Sequence, residues 1–171
     1  MLSFPANRDR VRALVTGPPD SSVTYAVTSR RWEGLLDAWR EAGGAPGDLR
    51  IAVCQANAAG LGEAFADELF GAGDPPDAIA AMSDELALGA LRAAFRTGRA
   101  VPDAVAITGW DDSDAAGPAG LTTLRQSLRD QGERCARIAL GRSRAAGQDP
   151  PHWQVVPRAS TRSASPGPPA A

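Results

Sequence analysis

The sequence predicts an α/β protein in which a parallel β-sheet is flanked by helices, giving three layers in the order α, β, α. Short runs rich in β-branched residues alternate with longer runs rich in alanine and leucine, which is the pattern of βαβ units. Glycine and proline pairs such as Gly17-Pro18 and Gly43-Gly44 separate these runs. With 171 residues, the chain is long enough for one domain with a buried core.

The predicted strands are short, and turn signals separate them. They cover residues 11–16, 49–54, 77–82, 104–108, 121–125 and 153–156. The first ends at a Gly-Pro-Pro turn, and the fourth follows Val101-Pro102, a pair that favours extended backbone. We expect residues 1–10 to be a lead-in. Residues 163–171, which are small and rich in proline, are expected to form a disordered tail.

Four helices are predicted from apolar residues that recur at helical spacing. The Gly43-Gly44 pair is expected to end the first of them. The apolar faces are Trp32, Leu35, Leu36 and Trp39 in helix 25–42, Leu61, Ala64, Phe65 and Leu69 in helix 58–70, Leu88, Leu91 and Phe95 in helix 84–98, and Leu128, Gly132, Cys135, Ala136 and Ala139 in helix 127–140.

The charge balance argues against a domain that binds nucleic acid by itself. The formal net charge is −2, and all 18 basic residues are arginines spread along the chain, whereas a DNA-binding domain usually has a basic face. Cys54 and Cys135 fit no metal or redox spacing, which is typical of reduced thiols in the cytoplasm. Because no segment has the apolar character of a signal peptide or a membrane span, we expect a cytoplasmic protein.

The sequence does not favour an enzyme, a metal site or a bound cofactor. His152 is the only histidine and lies near the proline-rich tail, so a nucleophile would lack a convincing base. The Gly60-Leu61-Gly62 turn has Phe65 where a dinucleotide fingerprint needs its third glycine. An aspartate-rich stretch from Asp112 resembles the start of a calcium loop, but Thr123 occupies the position of its bidentate carboxylate.

Polar residues follow four of the predicted strands and indicate a ligand site. They are Thr16-Gly17, the segment 54–57, Ser83-Asp84 and the segment 110–112. The carboxyl ends of parallel strands meet at one edge of a sheet, where open α/β sheets bind their ligands. Trp110 beside Asp111 and Asp112 suits a small molecule with hydroxyl groups, because the ring covers an apolar face and the carboxylates accept hydrogen bonds.

Simpler interpretations of the same residues stay open at this point. The aspartates after Trp110 are also typical of a turn that ends a strand. Ser83 or Asp84 can serve as the N-cap of the following helix, and Asn57 can cap its own helix in the same way. Arg31, in the first turns of its helix, can be a solvated side chain.

Three stretches together resemble LacI/GalR-type transcription regulators. SRRWEGLLDAWREAG is similar to the family's helix with an Arg-x-x-Gly pattern, in which Arg31 and Gly34 match. The run from 75 to 112, PPDAIAAMSDELALGALRAAFRTGRAVPDAVAITGWDD, matches almost continuously. LTTLRQSLRDQG and the final RAST complete the resemblance, which covers roughly residues 10 to 162.

The resemblance implies a fold, a function and a set of contacts. The fold is the type I periplasmic-binding, Rossmann-like one, with residues 11–120 as the C-terminal sensor subdomain and residues 121–162 as its crossover strand, helix and terminal strand. The function is to sense an effector, a sugar or related small molecule, for a repressor-type regulator. Effector contacts are expected from Arg31, Ser83, Trp110, Asp111 and Leu128, whereas Asp84 matches a structural position.

The resemblance also implies partners. A homodimer is expected through helices 58–70 and 84–96, which relatives use to pair subunits. Operator DNA is expected to bind only through a helix-turn-helix headpiece that this sequence does not include, and no membrane partner is expected. Residues 121–140 should lack the cover that an N-terminal subdomain supplies in relatives. A sugar-binding transport protein and a truncated regulator without an effector are the alternatives.

Overall fold

The computed structural model describes residues 1–142 and 153–162. The strands in these ranges are β1 (Leu2–Ser3), β2 (Ala13–Thr16), β3 (Arg50–Val53), β4 (Ala78–Ala80), β5 (Ala106–Asp111), β6 (Thr122–Gln126) and β7 (Trp153–Val156). The helices are α1 (Ala26–Glu41), α2 (Ala59–Gly71), α3 (Asp84–Arg96) and α4 (Leu128–Ala139), with a short 3-10 helix at Pro46–Asp48. Within the same ranges, no helix is both long and apolar enough to cross a membrane.

The strands form two hydrogen-bonded groups that meet at β1. One group has the order β1-β3-β2 and the other β4-β5-β6-β7. A parallel bridge pairs Leu2 with Ala81, and the Met82 N–H donates to the Leu2 carbonyl over 2.9 Å, so β1 and β4 are neighbours. The order across the molecule is therefore β2-β3-β1-β4-β5-β6-β7.

The sheet is mixed, whereas the sequence predicted a parallel one. β2 runs antiparallel to β3, and β7 runs antiparallel to β6; the other pairings are parallel. Both antiparallel strands lie at the edges, where Leu14 and Val155 are exposed. Hydrophobic patterning identifies a strand but does not give its direction, which explains the difference.

Residues 1–10, expected to be a lead-in, contain β1, a buried strand between β3 and β4. Leu2 in β1 is fully buried, and Ala52 N–H donates to the Met1 carbonyl over 2.8 Å. Two residues of strand carry too little periodicity to be recognised in a sequence. The predicted first strand, 11–16, is instead the outer strand β2.

Helices lie on both faces of the sheet, as predicted. Along β3 the side chains alternate: Ala52 packs in the cluster that includes α2 and α3, while Ile51 and Val53 pack with Trp32 and Leu36 of α1. α1 ends where the sequence predicts, because Gly43 adopts a φ of 86° and its N–H donates to the Arg40 carbonyl.

α2 and α3 cross at unusually short range, and two glycines make this possible. A Cβ on Gly89 would lie 2.0 Å from the Ala59 carbonyl oxygen, and one on Gly62 would lie 2.3 Å from the Leu86 carbonyl oxygen. The backbone of α2 at Ala59 and that of α3 at Leu86 cannot move away from such a Cβ without disturbing the helix. The Ala-x-Gly pattern of α3 is thus a packing requirement.

The C-terminal segment bridges the beginnings of β5 and β6, just before the two strands pair with each other. Ser160, 2% exposed, donates its N–H to the Gly120 carbonyl and accepts from the Ile107 N–H. Its Oγ donates to the Ile107 carbonyl over 2.6 Å and accepts from the Thr122 N–H over 2.8 Å. β6 itself pairs with β5 on one side and with β7 on the other, which corrects the expectation of an uncovered sheet edge from residue 121 onward.

α4 agrees with the expectation of an uncovered helix. None of its residues is buried, and Leu128 is 74% exposed. The predicted disordered tail, 163–171, and His152 lie outside the described residues.

Candidate functional site

The ends of three parallel strands meet at one edge of the sheet. β3 leads into the segment 54–57, β4 into Ser83-Asp84, and β5 ends at Trp110 and Asp111. Thr16-Gly17 does not join them, because β2 is antiparallel and ends beside Arg50 at the opposite edge. The predicted convergence therefore includes three of the four polar segments.

Arg31 bridges α1 and this edge. Its half-buried guanidinium donates to the Met82 carbonyl and lies 4.2 Å from the centre of the Trp110 ring and 5.3 Å from that of Phe4. An arginine over an aromatic face gains cation–π energy that increases when water is excluded. Burial lowers the pKa of Arg31, while the Asp111 carboxylate opposes this effect. The interpretation of Arg31 as a freely solvated side chain is wrong.

Asp111 is held in an uncommon backbone conformation. Its φ is 116° and that of Asp112 is 53°, a region that L-residues rarely adopt and that occurs preferentially at functional sites. The Asp111 carboxylate accepts a hydrogen bond from Gln126 Nε2 over 3.2 Å. Partial desolvation raises the pKa of this carboxyl, the Arg31 charge opposes the rise, and Asp84 adds to it.

Asp112 has a different environment from its neighbour. Its side chain is 9% exposed, and its two oxygens accept hydrogen bonds from Arg158 and Arg125, each over 2.6 Å. Burial acts to raise the pKa of Asp112, but the hydrogen bonds from the two arginines outweigh it and lower the pKa. Asp112 therefore ties β5 to β6 and to the C-terminal segment, whereas Asp111 stays available at the edge.

Ser83, a predicted effector contact, is the N-cap of α3. It is fully buried; its Oγ accepts from the Leu86 N–H over 3.2 Å and donates to Asn57 Oδ1 over 2.5 Å. Asn57 does not cap its own helix, because Ala58 is the N-cap of α2. The side-chain amide oxygen of Asn57 instead accepts the hydrogen bond from Ser83 and so fixes the start of α3.

Asp84 is a buried hydrogen-bond acceptor, and Ser83, not Asp84, is the N-cap of α3. It is 1% exposed and accepts hydrogen bonds from Thr123 Oγ1 and from the Ser113 N–H, each over 2.6 Å. Gly109 leaves room for it, since a Cβ there would lie 2.3 Å from Asp84 Oδ1.

A groove of about 780 Å³ runs from this edge along the sheet, between α1 and β7. Its volume is in the range of small-molecule pockets. Trp110 Nε1 is buried without a hydrogen-bond partner among the described residues. The lining residues include Arg31, Gly34, Leu35 and Ala38 of α1, Ala80 and Met82 after β4, Thr108 and Trp110 of β5, Leu124 of β6, and Trp153 and Val155 of β7.

The structure thus brings together some of the predicted contacts but not all. Arg31 and Trp110 line the groove, and Asp111 lies beside them at the carboxyl end of β5. Ser83 and Leu128 are not among the lining residues. The apolar groove residues of β6 and β7 were not predicted. Alternating apolar residues identify a strand, but they do not show whether a helix covers it.

Comparison with known proteins agrees with this architecture. Residues 9–164 match the periplasmic binding protein-like domain. The ribose operon repressor of Bacillus subtilis is 33% identical over 81 residues, which is 46% of this chain and 25% of that protein. An HTH-type transcriptional regulator of Mycobacterium tuberculosis is 28% identical over 170 residues, 99% of this chain and 46% of that protein.

A solved structure shows the same fold. The LacI family transcriptional regulator from Lactobacillus casei, with bound TRIS, aligns with a TM-score of 0.65 at 27% identity and covers 80% of this chain and 53% of that one. The chain spans less than half the length of the two curated relatives named above. It belongs to the periplasmic binding protein-like domain family and matches the effector-binding domain of LacI-type transcriptional regulators.

Proposed function

We propose that this domain senses a sugar or a related polyhydroxylated molecule through a cluster of Arg31, Trp110 and Asp111, the rim cluster. The observation that carries the proposal is the stacking of Arg31 on Trp110 at 4.2 Å, beside a carboxylate with a single hydrogen-bond partner among the described residues. The guanidinium donates hydrogen bonds, the carboxylate accepts them, and the indole covers an apolar face of a sugar ring. The adjacent hydroxyl groups of a sugar can accept hydrogen bonds from the guanidinium and donate hydrogen bonds to the carboxylate.

The backbone at the rim cluster supports a functional role. Holding Asp111 at a φ of 116° costs free energy, and residues in such conformations cluster at functional sites. The cost is offset by fixed neighbours, because Asp112 is held by Arg125 and Arg158. The strained geometry directs the Asp111 carboxylate to a constant position, which preorganises it for a ligand.

Ser83 and Leu128 are left out of the proposed contacts. Ser83 Oγ already makes two hydrogen bonds inside the protein, and Leu128 lies on the exposed first turn of α4. In this proposal Ser83 acts by fixing Asn57 and the start of α3.

The name of the ribose operon repressor supports a sugar as the effector class. We further propose that the sensor acts in the cytoplasm and that DNA binding belongs to another part of the regulator. The net charge of −2 and the dispersed arginines fit a sensor that does not bind DNA by itself. Members of this family are sensor domains and not enzymes, and we propose no catalytic step.

We also propose a homodimer through the outer face of α3. Phe95 is 89% exposed, and Leu88 and Leu91 lie on the same face. Val101 and Pro118 extend this apolar surface. A large exposed ring within an apolar patch is typical of an interaction surface, and a two-fold axis would pair the patch with itself.

A thermal-shift screen of sugars and nucleosides tests the effector proposal. A ligand at a hundredfold excess over its dissociation constant should stabilise the protein by about 2.7 kcal/mol. The Asp111→Asn variant should lose the response, while Glu41→Gln, which changes an exposed carboxylate at the end of α1, should keep it. A sugar response that survives Asp111→Asn would contradict the assignment.

A further inference from the structure

Two neighbouring aspartates at the end of β5 bond to the end of β6 in crossed order. The strand register pairs Asp111 with Arg125, and its continuation would pair Asp112 with Gln126. Instead, Arg125 donates to Asp112 over 2.6 Å, and Gln126 Nε2 donates to Asp111 over 3.2 Å. Both aspartates have a positive φ, so the chain turns here and the two carboxylates exchange partners.

The exchange leaves the two carboxylates with donors of different charge. Asp112 is neutralised, because Arg125 and Arg158 both donate to it over 2.6 Å. The donor to Asp111 is the side-chain amide of Gln126, which carries no charge. An amide fixes the direction of a carboxylate but leaves its negative charge and its other lone pairs available to a further donor.

Gln126 is itself held in place by the elements on both sides of it. It is the half-buried last residue of β6 and pairs in register with Trp153 of β7. The next residue, Ser127, is the N-cap of α4, and its Oγ accepts a hydrogen bond from the Asp130 N–H over 3.2 Å. The backbone at Gln126 therefore cannot shift without disturbing β7 or α4, which gives Asp111 a donor at a constant position.

The opposite charge of the rim cluster is held in the same manner. The Arg31 guanidinium donates to the Met82 carbonyl and lies 4.2 Å from the centre of the Trp110 ring, and both of these partners are neutral. Each charged group thus has a neutral partner of its own. Both charges are kept in place for a ligand, and the side-chain rotations that binding would otherwise have to freeze are already restricted.

We infer, on the basis of the function proposed for the rim cluster, that Gln126 is a positioning residue of the effector site. Its amide fixes the orientation of the Asp111 carboxylate beside Arg31 and favours the ionised form of that carboxylate. Gln126 acts through Asp111 and does not need to touch the effector. The contact lies between two described residues, and it does not depend on what else covers the groove.

The pKa of Asp111 tests this role without any ligand. Desolvation raises this pKa, the Arg31 charge lowers it, the Asp84 charge raises it, and the hydrogen bond from Gln126 lowers it. Gln126→Leu removes the hydrogen bond and should therefore raise the pKa of Asp111, as followed by NMR through the carboxyl carbon of ¹³C-labelled aspartate in the 171-residue chain. Gln154→Leu is the matched control, since Gln154 is exposed in the neighbouring strand β7, and it should leave this pKa unchanged.

Gln126→Glu adds a pH profile that a merely structural residue would not produce. At pH 7.5 the introduced carboxylate faces that of Asp111, and the repulsion raises the pKa of the pair. As the pH falls, the pair takes up a proton, and a protonated carboxyl donates a hydrogen bond as the amide does. Sugar binding, relative to wild type at the same pH, should be weaker by about tenfold or more at pH 7.5 and should recover by pH 5.

Calorimetric titration with D-ribose, D-glucose, D-galactose and maltose measures this ratio, using whichever of the four sugars stabilises the wild type most. Gln126→Leu has no proton to donate at any pH, so its binding should stay weak at pH 5. Gln154→Glu places the same charge at an exposed position of β7 and should bind like wild type at both pH values. Circular dichroism confirms folding, and the pH profile of Gln126→Glu decides alone if Gln126→Leu does not fold.

The outcomes distinguish this role from the proposed function. A raised Asp111 pKa in Gln126→Leu, with binding by Gln126→Glu that recovers at pH 5, supports the role. An unchanged pKa, full affinity in both Gln126 variants, or a loss in Gln126→Glu that is the same at pH 7.5 and pH 5 would overturn it. If none of the four sugars binds, or if Asp111→Asn binds like wild type, the proposed function is wrong and the pKa titration alone decides the role of Gln126.

Discussion

The guanidinium of Arg31 lies 4.2 Å from the Trp110 ring centre and donates to the Met82 carbonyl, so one side chain joins α1 to the ends of β4 and β5. This contact positions a cation at the sheet edge next to Asp111, with which it interacts electrostatically. The rim cluster is therefore assembled before any ligand arrives. Its groups need little rearrangement to bind, which reduces the entropic cost of binding.

The crossing of α2 and α3 predicts an asymmetry between two glycine substitutions. Gly89→Ala should destabilise the protein by about 1–3 kcal/mol or more, because its Cβ would lie 2.0 Å from a backbone oxygen of α2. Gly60→Ala, in the same helix pair but facing open space, should stabilise it by about 0.5–1 kcal/mol. Urea denaturation of the two variants measures both values. Similar effects in the two variants would contradict the packing argument.

The bridging of β5 and β6 by the C-terminal segment predicts a specific role for one hydroxyl. Ser160→Ala should cost about 1–3 kcal/mol, since it leaves the Ile107 carbonyl and the Thr122 N–H without their side-chain partner. Ser113→Ala removes a buried hydroxyl that has no hydrogen-bond partner among the described residues, so it should be neutral or slightly stabilising. Thermal unfolding compares the pair. Equal losses of stability in the two variants would mean that the loss comes from the missing side-chain volume and not from the missing hydrogen bonds.

The two arginines bound to Asp112 predict that the stability of the protein depends on pH. The hydrogen bonds from Arg158 and Arg125 hold the pKa of Asp112 in the folded protein below the ordinary aspartate value of 3.8. The ionised form therefore stabilises the fold above pH 3.8, and this contribution is lost as pH falls through the lowered pKa. Asp112→Asn should therefore destabilise the protein at pH 7, by about 1–3 kcal/mol for a charge-assisted pair. The difference between wild type and variant should shrink below pH 4. A constant difference from pH 7 to pH 3 would contradict the ion-pair account.

The exposed ring on α3 predicts a change in assembly. Phe95→Asp places a charge in the proposed two-fold interface and should halve the mass measured by light scattering at tens of micromolar. Thr97→Asp, at the C-cap of α3, introduces the same charge outside the apolar patch and should leave the mass unchanged. An unchanged mass for Phe95→Asp would remove the proposed dimer surface.

The elements that the sequence predicts well are those with clear periodicity. α1, α2 and α3 lie where helical spacing and turn signals indicate, and β5 overlaps its predicted strand. The face of α3 that packs in the core is not the predicted one, because Phe95 is 89% exposed while Leu86 and Ala90 are buried. β1 was missed because two residues cannot show a period, although Leu2 is fully buried. The antiparallel direction of β2 was missed because pairing depends on contacts between segments distant in sequence.

The candidate site was predictable where a residue type implies its chemistry and not where its partner decides its role. Trp110 was selected from its type and its position after a strand, and Arg31 from the family resemblance; both line the groove. Asp111 and Asp112 are adjacent and identical in type, yet Arg158, far away in sequence, makes only Asp112 a structural residue. Ser83 could not be separated from an effector contact until its bonds to Asn57 and Leu86 were known.

Isothermal titration calorimetry with the sugar selected by the thermal-shift screen tests the central claim most directly. Arg31→Ala and Asp111→Ala should each weaken binding by more than tenfold while the protein stays folded, because one charge-assisted hydrogen bond contributes about 1.5–3 kcal/mol. Glu41→Ala, on the exposed end of α1, should bind like wild type. Unchanged affinity in both rim variants would show that the effector does not bind at Arg31, Trp110 and Asp111.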